Sequence, residues 1–196
     1  MNQSKFLIAI ALIFGGAALR LIDIGGVNFA PIGAIAVFSG LMFRRKWMAF
    51  ALPLLATVIG DCVLAVQNDY DFANYVFSPI MLFVYAGWLL YVCCGMLVRG
   101  RWNRTSSDTK RGWLLCGGSL AGSVLFFIVS NLGVWVLGPV HTLETLTSCF
   151  VKAIPFYRGT LFSDLIYLAV LIAAHAALTA TVSSKQTNPD TMIYAD

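Results

Sequence analysis

The stretch WMAFALPLLATVIGDCVLAV, residues 47–66, decides how this chain folds. It runs for twenty residues with one charge, Asp61, and with no alternation of polar and apolar positions. As a helix rising ~1.5 Å per residue it reaches about 30 Å, the thickness of a bilayer's hydrocarbon core. An isolated strand in lipid would leave its backbone groups unpaired, so a helix is the workable conformation. Arg44, Arg45 and Lys46 precede the stretch, and Asp69 and Asp71 follow it. That asymmetry is expected of a spanning helix whose basic end stays in the cytoplasm.

Reading outward, residues 6–22, 27–43, 75–98, 113–137 and 160–182 form further apolar runs. The run 27–43 is short, about 25 Å of helix at ~1.5 Å per residue, and carries Pro31 near its start. Small residues follow the middle of the first run, as at a signal-peptide cleavage site. Arg20 and five later spans favour an uncleaved first helix. The expected fold is all-α: a polytopic membrane protein, a six-helix bundle with a short second helix and an amphipathic outer segment before the last helix. Residues 1–182 form one transmembrane domain, and residues 183–196 read as a disordered cytoplasmic tail.

Composition agrees. Of 196 residues, 59% are hydrophobic and 11% charged, against roughly 25% charged in a soluble domain. An ordinary cytosolic enzyme and a disordered chain are thereby excluded. The net charge of +4 is a topology signal rather than a nucleic-acid footprint. Lys5, Arg44 to Lys46, the set Arg99, Arg101, Arg104, Lys110 and Arg111, and Lys185 fall in one set of connections. Asp23, Asp69, Asp71 and Glu144 fall in the other, with Lys152 and Arg158 as its loop bases. The sets alternate, so both termini are expected in the cytoplasm of a bacterial inner-membrane protein. The five cysteines, Cys62, Cys93, Cys94, Cys116 and Cys149, show no C-x-x-C pair and no ligand spacing, and read as packing residues. Neither a metal nor another cofactor is implied.

Ionisable groups inside spans cost about 2.5–3.5 kcal/mol on insertion scales, so each needs a partner, a wet cavity or a function. By helical rise Arg20 and Asp61 stand about 21 Å from the inner ends of their runs, and Asp164 about 6 Å inside the outer end of the last. Asn131 and Trp135 reach the same outer half, and Asn28 and Phe29 arrive there just before Pro31. Between residues 138 and 159, Leu143, Leu146, Phe150, Ile154 and Tyr157 recur at steps of three and four, giving an apolar stripe. A short surface helix is expected there, ended by Pro155 and turned by Gly159 into the last span, with Tyr157 and Arg158 over the polar cluster. The expected ligand-binding set is Arg20, Asn28, Phe29, Asp61, Asn131, Trp135, Tyr157, Arg158 and Asp164. The plain alternative is a structural ion pair of Arg20 with Asp61 or Asp164. A catalytic reading rests on Ser119 and His175 at similar depth. It lacks a third group and an oxyanion motif, so no enzyme is expected.

The run Asn28-Phe29-Ala30-Pro31-Ile32-Gly33-Ala34-Ile35-Ala36 resembles one that recurs in a family of uncharacterised bacterial integral membrane proteins. Asn131-Leu132-Gly133-Val134-Trp135 and residues 153–160, followed by Asp164, resemble it too. More distantly, the architecture is similar to the substrate-binding (S) components of energy-coupling factor vitamin transporters, small six-helix proteins with a pocket near the outer face. That resemblance implies uptake of a vitamin-like small molecule together with a transmembrane coupling subunit and ATPases, since the chain has no P-loop of its own. Many members of that family carry alanines at four-residue spacing in the first helix, where the coupling subunit docks. This sequence departs from that pattern, with only Ala11 and Gly15 offering such a face. The alternatives are a structural or assembly subunit of a membrane complex and an intramembrane hydrolase.

Overall fold

The computed structural model describes residues 3–20 and 31–186. These form seven helices: α1 (Gln3–Arg20), α2 (Ile32–Met42), α3 (Lys46–Gln67), α4 (Phe72–Val76), α5 (Pro79–Trp102), α6 (Asp108–Val136) and α7 (Leu143–Gln186). No strand occurs among the described residues. Of these helices, α3, α5, α6 and the stretch Leu143–Ala177 of α7 are long and apolar enough to cross a membrane, which marks the chain as a membrane protein. Asn28 and Phe29 lie outside the described residues, as does the tail from residue 187. Arg20 closes α1, but its side chain also lies outside them.

The short helix α2 is the centre of the bundle. Residues Ile32 to Leu41 are all buried, and α1, α3, α5, α6 and α7 pack around them. Lipid gives no hydrophobic drive between helices, so close backbone approach and polar links must hold such a bundle. At the α2–α5 crossing a Cβ on Gly40 would lie 3.0 Å from the Met96 nitrogen and 3.1 Å from the Gly95 Cα. Only glycines permit that contact. Below it, the Arg99 guanidinium of α5 donates to the carbonyls of Gly40 (Nε, 3.0 Å) and Phe43 (Nη2, 2.7 Å). These are the open carbonyls at the end of α2, where a cation also meets the negative end of the helix dipole. On the opposite face α2 meets α1 at Gly16, whose added Cβ would lie 3.3 Å from Ala56 of α3. The small-residue spacing Ala11-x-x-x-Gly15 in the sequence points to Gly15 as the packed glycine of α1. Its Cβ would instead meet nothing within 4 Å, and Gly16 is the contact residue.

The connections explain the helix ends. Asp69, in a left-handed conformation at φ 52°, turns the chain after α3. Asp71 then caps α4, its Oδ1 accepting from the Ala73 amide at 3.0 Å and the Asn74 amide at 3.2 Å. Pro79 opens α5, where its missing N–H costs nothing. Hence the run expected from residue 75 is split between α4 and α5.

The largest departure from the sequence reading is α7. The outer segment and the last span are one continuous helix of 44 residues, with Pro155 inside it and no turn at Gly159. Its first four turns pack antiparallel on the C-terminal part of α6, with the Phe127 ring 5.4 Å from Phe150 and 4.9 Å from Tyr157. The expected stripe is divided. Leu146, Phe150 and Tyr157 are partly buried, while Leu143 and Ile154 are exposed. Proline blocks helix propagation only through its lost hydrogen bond and its contact with the preceding turn. Here the packing against α6 carries the helix through an exposed Pro155.

Candidate functional site

Two polar features share the α6–α7 hairpin. The outer one is an open cleft of about 860 Å³, walled by Asn131, Val134 and Trp135 of α6 and by Glu144, Ser148, Lys152 and Phe156 of α7, among others. The loop that closes it is tightly built. Thr142 and Thr145 cap α7 reciprocally, the Thr145 amide donating to Thr142 Oγ1 at 3.2 Å and the Thr142 amide to Thr145 Oγ1 at 3.0 Å. The Trp135 indole Nε1 donates to the same Thr145 oxygen at 3.1 Å, and its ring stands edge-on to His141. Trp135 thus fastens the hairpin and presents a ring wall to the cleft. Asn131 donates from Nδ2 to the Phe127 carbonyl of its own helix at 2.7 Å. This leaves its Oδ1 as the acceptor turned toward Cys149 and the cleft. A smaller cavity of about 200 Å³ shares Asn131, Ala153 and Phe156 with the cleft and adds Phe127, Ser130, Tyr157 and Thr160.

The second feature is deeper. Asp164 is fully buried and accepts a hydrogen bond from the Tyr91 hydroxyl of α5. Tyr91 stands ~18 Å along α5 from Pro79 by the helical rise, so Asp164 meets α5 near the middle of that helix. The carboxylate sits at the N-terminus of α2. A Cβ on Gly33 would come within 2.6 Å of Oδ2 and 2.7 Å of Cγ. The first amides of a helix have no intrahelical acceptor and carry the positive end of its dipole, so a buried carboxylate is stabilised there. Asp164 Oδ1 has no hydrogen-bond partner among the described residues. Trp88, Tyr91 and Phe126 form an aromatic block beside it, with the Trp88 and Phe126 rings stacked at 4.2 Å.

The expected site residues are therefore brought together in part. Asn131 and Trp135 line the cleft, Asn131 and Tyr157 line the small cavity, and Asp164 lies below them on α7. Arg158 is exposed beside Gly159 and lines neither space. Asp61, fully buried, belongs to α3. Helix α3 meets α1 at Ala56, where a Cβ on Gly16 would lie 3.3 Å away. Tyr91, Ser123, Thr160 and Ser163 were not expected, yet all four are buried. Thr160, Ser163 and Asp164 fall at steps of three and one on a single helical face, a spacing that marks an inward polar stripe in an otherwise apolar span. The Ser119–His175 couple is not formed. Ser119 Oγ is buried with no hydrogen-bond partner among the described residues, and the His175 ring stands edge-on to Phe38 at 6.0 Å.

The family model described as a family of unknown function, DUF6580, matches residues 1–187. The chain belongs to the DUF6580 family. No curated protein and no solved structure matches it. For this DUF6580 protein the site must accordingly be read from its own side chains. Among the described residues no group of three or more His, Cys, Asp or Glu side chains is placed to hold a metal.

Proposed function

We propose that the protein is a membrane-embedded binding and uptake protein for a vitamin-like small molecule, working as an S component does in an energy-coupling factor transporter. In this reading α1, α2, α3, α5, α6 and α7 are the six spanning segments, both termini are cytoplasmic, and the α6–α7 cleft opens on the outer face of the bacterial inner membrane. The cleft of about 860 Å³ carries the reading. It falls within the roughly 300–1,000 Å³ typical of small-molecule sites and combines apolar walls with a few directed polar groups. Trp135 offers an aromatic wall and Asn131 an acceptor. Glu144 and Lys152 offer opposite charges, a lining that favours a neutral or zwitterionic solute with a flat apolar body.

Beneath the cleft, Asp164 and Tyr91 tie α7 and α5 to the half-length helix α2, so a ligand that shifts α7 also bears on the bundle's centre. Ala11, Gly15 and Ala18 are exposed on α1 and form the small-residue face on which a coupling subunit would dock, with its ATPases supplying the energy. A thermal-shift screen of the detergent-solubilised protein against vitamins and related heterocycles tests the reading. A stabilising solute whose effect is lost in Trp135→Ala is expected. A shift of equal size in that variant would place binding elsewhere.

A further inference from the structure

The basic residues at the Arg- and Lys-rich end of the bundle do not all serve the fold. Arg99 is committed to the α2 carbonyls. Arg111 pairs with Asp108 at 3.5 Å and lies 5.3 Å from the centre of the Trp102 ring. Arg101, Arg104 and Lys110 remain, and their side chains have no acidic or hydrogen-bonding partner among the described residues. They do not point apart. Together with Thr105, Trp113 and Leu114 they line a cleft of about 540 Å³ between the end of α5 and the start of α6. The indole of Trp113 is 74% exposed beside them. The nearest acid, Asp108, is turned to Arg111.

We propose that this cleft binds the headgroup of an anionic phospholipid. A topology signal requires only that basic residues be present on one side. It does not require three unpaired cations to line one concavity with an exposed indole at its rim. Guanidinium groups match phosphate oxygens in a planar, two-pronged geometry. An indole at the level of the glycerol backbone, next to Leu114, suits the lipid's interfacial and acyl portions. Basic pockets between spanning helices are where such headgroups are held.

The test compares lipid retention in native mass spectra of protein released from nanodiscs of mixed phosphatidylcholine and phosphatidylglycerol. Wild type is expected to retain phosphatidylglycerol preferentially. Each cation near an anionic surface contributes about fivefold, so R101Q/R104Q/K110Q should weaken that preference by roughly a hundredfold. R44Q/R45Q/K46Q removes the same charge from another basic connection outside the cleft, so it loses only diffuse surface attraction and should weaken the preference much less than the cleft variant. An equal loss in both triple variants, or retention in both, would overturn the site, the first showing general surface charge and the second showing binding elsewhere. Displacement of the lipid by soluble glycerol phosphate at matched concentration would overturn the lipid assignment in favour of a free phosphate. Melting in pure phosphatidylcholine discs checks the fold of each variant. If the triple variant melts early, Arg104→Gln alone must still lower retention about fivefold.

Discussion

Replacing Gly33 by alanine probes the point where three helices meet. Alanine inside a helix normally stabilises by about 0.5–1 kcal/mol relative to glycine. Here the new methyl would lie 2.6 Å from Asp164 Oδ2 and 2.7 Å from its Cγ, and nearer still to Oδ1. The carboxylate must then move, and with it goes the bond from Tyr91. A hydrogen bond to a charged group is worth about 1.5–3 kcal/mol, and crowding of a packed core costs about 1–3 kcal/mol. Gly33→Ala should therefore destabilise the wild type by roughly 2–5 kcal/mol. In an Asp164→Ala background the obstacle is gone, so the same change should be neutral or stabilising by up to ~1 kcal/mol. Reversible unfolding in mixed micelles, read by tryptophan fluorescence for all four corners of the cycle, gives the coupling. Additive costs, with Gly33→Ala equally harmful in both backgrounds, would refute the placement of Asp164 against the start of α2.

Three further outcomes follow from the same contacts. Tyr91→Phe keeps the ring against Trp88 and Phe126 but removes the donor to Asp164, and should lower unfolding stability in micelles by about 1.5–3 kcal/mol. Gly40→Ala drives a methyl into the backbone of α5, which cannot yield as a side chain does. It should cost about 3 kcal/mol or more in the same assay, whereas Gly15→Ala should be nearly silent. Cysteines introduced at positions 69 and 144 should react with an impermeant thiol reagent in intact cells and one at position 101 should not. The reverse pattern would invert the orientation.

Much of this was legible in the sequence where one principle ruled. The run 47–66 became Lys46–Gln67, because twenty apolar residues between opposite charge clusters leave the backbone little choice. The shortness of the second run was legible too, but its meaning was not. A helix buried on every side has no amphipathic face, so nothing in residues 32–42 announces that five other helices surround it. The misreading at Pro155 has a physical cause. Local propensity predicts a stop, and tertiary packing against α6 overrides it. Asp164, read from the sequence as an ionisable group inside a span, is buried, and the helix that carries it starts at Leu143 rather than near residue 160. Its partner Tyr91 looked like one more aromatic residue in an apolar span, since a tyrosine's role depends on what its hydroxyl reaches.

The most direct test of the uptake reading is native mass spectrometry of the protein purified from the membrane in which it is made. The account predicts a small-molecule adduct on the wild type that disappears in Trp135→Ala while the protein stays folded. A wild-type spectrum free of any such adduct, with the chain held instead in a stable assembly with other membrane proteins, would contradict it and make the polar interior a structural tie between helices.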